Sequence, residues 1–323
     1  MKRLPVKSLV QFRCVSKAWK SLIDSSEFIA AHSLFRHNQQ QHLLISYQDP
    51  IDKENYVCYI DDDTFPQHRP LPTLPLYTTK MVVLWNPSIR ISIVVIVLNN
   101  DIVGFGVCPV TNDPKIVSIT QSSDDPNIGT GYRCKVMVYT LSTGKWRSLS
   151  NNLPTESIQD PRSLVVTDMF IYWHVGLTRN MIMSFDVTNE KFEVIELPDS
   201  LAIRHPMRMY CSKLCESLAM LHYREDTCTV WMMEHGAQRA FTKLFTIKTP
   251  DDFIVGLRKS GVPILQVTDD DPDDINARYK LAVYEPNSEH NNVFEICGTT
   301  SWFNLNSYVE TLLLLGRSDC NSY

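Results

Sequence analysis

The chain has 323 residues, 44% of them hydrophobic, with 31 Lys/Arg against 36 Asp/Glu and a mean hydropathy of -0.15. That is enough for one large all-β domain or two ordinary ones around a packed core, and 10% aromatic content leans towards strands. The longest apolar run, residues 91–98, is broken by Ser92 and far shorter than a membrane span; it reads as a buried, β-branched strand. No signal-peptide pattern is visible at the charged, Pro-containing start. Nine cysteines lie scattered, apart from Cys211-x-x-x-Cys215, with no zinc spacing, so we expect reduced thiols. Together these features predict a soluble protein of the cytoplasm or nucleus, with no membrane partner.

The charge is uneven. Residues 1–40 hold seven Lys/Arg against Asp24 and Glu27, while the remainder is acidic. The basic residues interleave with an apolar stripe and no second basic patch follows, which favours a solvated helix surface over nucleic-acid binding.

The same stretch reads as helical. Pro5 suits a first helical position, and Val6, Leu9, Val10 and Phe12 follow at helical spacing. Ser16 is a candidate N-cap for a second short helix carrying Ala18, Trp19, Leu22 and Ile23. Ser25-Ser26-Glu27 opens a third, with Phe28, Ile29, Leu34 and Phe35 apolar, ending at the polar tract 38–41. Helices this short need a partner surface to bury their apolar faces.

From His42 the period changes to that of strands, first residues 43–47 and 56–60. Then a unit recurs: apolar strand, tight polar turn, second strand. Its turns fall at Pro87, Ser142, Thr188, His235 and Pro286, in steps of 46–55 residues. Further strands are read at 102–106, 169–173, 218–221, 263–267 and 309–315. Several are apolar on consecutive residues, as in strands covered on both faces. A repeat near fifty residues built of short strands is the signature of propeller blades, kelch-like in spacing; a β-sandwich is the alternative. The step from Asp62 to Pro87 is half the others, and residues 65–81 are rich in Pro (66, 70, 72, 75). About one strand pair is therefore expected to be missing from the first blade.

Two resemblances cover most of the chain. LPVKSLVQFRCVSKAWKSLI, residues 4–23, resembles the second half of a plant F-box. LWNPSIR, KVMVYTLSTGKWRSL, SFDVTNEKFEVIELP and YVETLLLL, in that order, resemble the plant F-box-associated (type 1, kelch-like) domain. The resemblance implies a mainly β, β-propeller-like (kelch-type) domain preceded by a short α-helical F-box remnant. Boundaries are expected at 1–40 for a truncated F-box, 41–316 for the propeller and 317–323 for a tail. Such boxes carry an earlier acidic–aliphatic helix; the chain starts at Met1, so we expect the box to be N-terminally truncated and its adaptor binding weakened. The implied function is substrate recognition in a Skp–cullin–F-box (SCF-type) E3 ubiquitin ligase, with a Skp-type adaptor and an unknown target protein as partners. Pro5, Val6, Leu9, Val15 and Trp19 are the expected adaptor-binding residues, with Leu22 and Phe28 packing the head internally. The alternatives are a protein-binding propeller that has lost the adaptor, or a glycan-binding or enzymatic propeller.

Chemistry is sparse. There is no G-x-S-x-G, H-E-x-x-H or Walker motif. Gly104 and Gly106 lack the third glycine and helix start of a dinucleotide loop and read as strand glycines. The acidic run 269–274 lacks a calcium-loop register. The nine histidines show no metal pair; His174 and His222 follow strands and are read as backbone-bonded. Trp85, Trp146 and Trp231 recur near the turns and read as core packing rather than a ligand cage. No catalytic residue, cofactor or metal is expected.

Overall fold

A computed structural model describes residues 1–37, 41–49, 51, 53–62, 68–71, 81–97, 102–123, 132–149, 164–175, 181–201, 209–234, 236, 239–249, 253–268, 278–284, 291–298, 303–317 and 321–322. The fold is mainly β and propeller-like: three short helices, α1 (Val6–Phe12), α2 (Lys17–Ile23) and α3 (Ser26–His37), precede successive antiparallel sheets. Among the described residues no helix is long and apolar enough to cross a membrane.

The chain forms two compact units, one of residues 1–97 with 262–323 and one of residues 98–261. In the first, a four-stranded sheet runs in the order Asn304–Tyr308, His42–Gln48, Glu54–Ile60, His68–Pro70. It therefore pairs early and late chain, Leu43 opposite both Tyr59 and Ser307. Pro70 sits in its short edge strand, where a missing N–H is tolerated. The next sheet has only three strands, in the order Asn321–Ser322, Ile91–Ile96, Met81–Asn86. The strand pair expected to be missing falls largely on residues 63–67 and 72–80, which lie outside the described residues. Residues 321–322, read as tail, contribute its third strand. Pro263–Thr268, Tyr279–Tyr284 and Asn291–Gly298 form an antiparallel meander.

The second unit holds three four-stranded meanders, residues 102–149, 164–196 and 209–248, followed by strand Phe253–Leu257. Its recurring hairpins are the ones read from sequence, Tyr132–Thr140 with Lys145–Leu149, Met181–Asp186 with Lys191–Glu196, and Thr227–Met233 with Phe241–Lys248. The last turn of two hairpins closes in the left-handed region at Gly144 (φ 64°) and Glu190 (φ 54°). In the first unit Arg90 (φ 55°) takes the same place.

Sheets of the second unit meet through apolar faces. Trp173, Ile171 and Phe185 from one pack with Val117, Ile119 and Val138 from another, all buried. Gly104 makes this approach possible: a Cβ there would lie 2.6 Å from the Trp173 ring and 2.9 Å from Ile171. Both glycines are thus strand glycines with a packing reason, since a Cβ on Gly106 would meet Val187 at 2.9 Å. Lys115 and Glu190 tie the same two sheets. Lys115 Nζ donates to the Val187 carbonyl at 2.8 Å and pairs with Glu190 at 2.9 Å, and Arg147 pairs with Glu190 from the outer strand. Burial works against the Glu190 carboxylate, but Lys115 and Arg147 outweigh it and hold it below the usual carboxylate range.

The structure corrects three readings. Residues 309–315 are not a strand: strand Asn304–Tyr308 ends before them, and Leu314 turns into the left-handed region at φ 75°. Trp146 is not core; it lies half-buried on the edge strand Lys145–Leu149, 5.4 Å from the Tyr139 ring. Trp85 and Trp231 are part-buried, and among the described residues the fully buried indole is Trp173. His174 and His222 are buried within strands, and His222 Nε2 accepts a hydrogen bond from Arg224 Nε at 3.2 Å.

Candidate functional site

The helical head is shaped by local chemistry. Pro5 caps α1 with extended backbone (φ -57°, ψ 149°), one residue ahead of the helical position expected for it. Ser16 caps α2 as expected, its Oγ accepting the Trp19 N–H at 3.2 Å. Ser25 Oγ accepts the Phe28 N–H at 3.2 Å and so caps α3, with Glu27 in the favourable first turn. Arg13, just after α1, forks onto Asp24, just after α2, at 2.6 and 2.9 Å. His32 is buried, stacked on Phe28, with Nε2 3.1 Å from the Leu4 carbonyl oxygen.

One face of the head is closed. Val6, Leu9 and Ile23 are fully buried with Phe28, and their buried cluster is completed by Leu312 and Leu315 from the far end of the chain. Phe12, Trp19, Ile89 and Ile91 pack around it. Val6 and Leu9, expected on the adaptor-contact face, are both buried in the chain by itself. Their i,i+3 spacing marks an apolar face, as the sequence says, but the molecule itself covers that face. Phe28 is internal as expected. Leu22, expected inside, is 48% exposed.

On the head Pro5 is exposed, Val15 is 65% and Leu22 48% exposed, while Trp19 is half-buried, packed towards the closed cluster 5.3 Å from the Phe12 ring. Ala18 is exposed and shares the Leu22 face of α2 at i,i+4. Lys2, Arg3, Lys7, Lys17 and Lys20 are also exposed, whereas Arg13 is neutralised by Asp24. Exposed apolar and cationic side chains thus share the surface of the short helical head.

What holds Leu312 and Leu315 beneath the head was not foreseen. Buried Asn86, from the LWNPSIR hairpin, donates through Nδ2 to the carbonyls of Thr311 (3.0 Å) and Leu313 (2.7 Å) and lies 3.2 Å from Thr311 Oγ1. Ser88 bonds the Tyr308 hydroxyl, and Arg69 pairs with Glu310 at 3.2 Å. The only sequence signal was an Asn at a turn start, which predicts a local turn bond and no more.

Elsewhere the described residues contain no group of three or more His, Cys, Asp or Glu placed to hold a metal ion. Their cysteines are free thiols; burial pushes Cys58 up to about 11 and Cys228 up to about 12, away from thiolate chemistry. The acidic run 269–274 lies outside the described residues.

Comparison with known proteins gives two adjoining matches. Residues 29–308 match the F-box associated beta propeller domain, and residues 1–30 match the F-box domain. The Arabidopsis thaliana F-box protein At1g47790 is 28% identical over 261 residues, covering 72% of this chain and 65% of that protein. At3g52320 of the same plant is 29% identical over 232 residues, covering 61% of this chain and 57% of that protein. The F-box protein CPR1 of Arabidopsis thaliana is 24% identical over 305 residues, covering 77% of this chain and 71% of CPR1. This chain thus spans less than two thirds of the length of the first two relatives. Among solved structures, the acylaminoacyl peptidase of Pyrococcus horikoshii aligns at 9% identity with a TM-score of 0.35, over 80% of this chain and 38% of that one.

Proposed function

This chain belongs to the F-box associated β-propeller family, with an F-box domain at its head, and from that premise we propose that it is a substrate receptor of an SCF-type ubiquitin ligase. The head docks a Skp-type adaptor, and the propeller holds a target protein near the ubiquitin-charged partner. The mechanism is proximity: tethering raises the effective concentration of target lysines, and the chain itself performs no bond chemistry. Cytoplasm and nucleus are where such a subunit acts.

One observation carries the reading. The head leaves Pro5, Val15 and Leu22 exposed together with Lys2, Lys7, Lys17 and Lys20, and Trp19 half-exposed, while Val6, Leu9 and Ile23 are already used within the molecule. Val6 and Leu9 are buried against Leu312 and Leu315 in the chain as it stands. Co-expression with a Skp-type adaptor tests the proposal: the adaptor should co-purify with the full chain, and its absence from the purified material would count against it. The target is expected on the propeller loops, several of which lie outside the described residues.

A further inference from the structure

We propose that residues 309–316 form a seat that fixes the F-box helices on the propeller, and that Asn86 is the positioning residue that holds this seat in place. The inference rests on the docking reading for its binding arm only.

Three observations converge. The head cannot bury itself, because α1 and α2 have seven residues each and such helices are marginal alone. Its buried cluster is completed by Leu312 and Leu315, in a segment with no strand pairing of its own. The Asn86 amide is aimed at two backbone carbonyls of that segment.

The hairpin in the other unit supplies a built-in control. Asp186 occupies the place of Asn86 at the start of an equivalent turn. Its Oδ1 accepts the N–H groups of Thr188 and Asn189, both at 2.8 Å, and that completes the turn. Asn86 Oδ1 does the same for the Ser88 N–H at 3.1 Å. The turn therefore needs only a side-chain oxygen, which Asp supplies as well as Asn. The Nδ2 donations to Thr311 and Leu313 are what an Asp cannot make, and a carboxylate there would face two carbonyl oxygens.

Asn86→Asp thus separates turn formation from seating. The measurement is hydrogen exchange across the full chain, with titration of a purified Skp-type adaptor. Leu315→Ala acts directly on the seat and serves as the second variant. We expect amides of α1–α3 to lose protection by at least about tenfold in both variants, with strands 114–123, 132–140 and 181–186 unchanged. Adaptor affinity should fall by at least about tenfold. Unchanged protection of α1–α3 in both variants would overturn the proposal, as would equal loss across the sheets. A rise in adaptor affinity would also overturn it, because the segment would then be a plug competing with the adaptor. If the native chain does not bind the adaptor, the docking reading fails, and the exchange data alone still decide the seat.

Discussion

The unit of residues 98–261 and the helical head bury apolar surface by opposite routes. In the former, each sheet is made from contiguous chain, and its apolar faces meet those of neighbours in sequence, as Ile171, Trp173 and Phe185 meet Val117, Ile119 and Val138. The head instead closes on Leu312 and Leu315, at the other end of the chain. Local burial makes for redundancy and a readable repeat; distant burial makes the head depend on a few contacts outside it.

The contrast is broken most strongly at the sheet contact. Trp173→Ala removes a fully buried indole between the Gly104 backbone and Phe192, and should cost about 3–5 kcal/mol. Chemical denaturation reads it directly; a midpoint equal to that of a surface substitution would show that the sheets do not meet this way. Next in size is Glu190→Gln, which removes the carboxylate charge paired with the nearly buried Lys115 ammonium and leaves it the Val187 carbonyl and the charge of Asp186. We expect a loss of about 2–3 kcal/mol, below the range for fully buried pairs because Arg147 is largely exposed. The same measurement checks it, and a loss under 1 kcal/mol would reduce the pair to a surface interaction.

A smaller effect is pH-dependent. Burial, then the neighbouring Arg224, lowers the His222 pKa below its ordinary value of 6.5. The folded state therefore resists protonation. Stability from this site is complete above about pH 6.5 and declines as the pH falls from there towards the folded-state pKa. Glu190, Asp186 and Glu216 titrate lower, below the usual carboxylate range, so their losses come at more acidic pH. Thermal melts between pH 7 and 5 should fall for the native protein and flatten in His222→Gln; parallel curves would remove His222 from the account. Smallest of all is Trp146→Ala, on a half-buried edge strand, with an expected cost of about 1 kcal/mol or less. A cost comparable to Trp173→Ala would return Trp146 to the core.

The repeat was legible because each hairpin is local: alternating apolar runs and a polar turn state their own pairing. Gly144, Arg90 and Glu190 show why composition alone was an incomplete guide, since the same left-handed turn position is filled by three different residue types. Trp146 was misread because sequence marks an aromatic in a strand but not which strand lies at the edge. The head's apolar face was also legible, at Val6 and Leu9, but not its partner. A run such as residues 309–315 looks like a buried strand, and only long-range packing shows that helices cover it and an Asn86 amide binds its carbonyls. Leu22 was placed inside on the same grounds, because periodicity gives a face and not what lies against it.

The central claim is that the open face of the head is an adaptor-docking surface. Calorimetric titration of the full chain with a purified Skp-type adaptor, beside the double variant Val15→Asp/Leu22→Asp, tests it most directly. Buried interface anchors contribute about 2 kcal/mol or more each, so losing two should weaken binding by roughly a thousandfold. Both residues are exposed, so the unfolding midpoint should stay unchanged. Binding by the native chain with that loss in the variant is the predicted result. Equal affinity for both proteins would contradict the account and move the docking surface elsewhere.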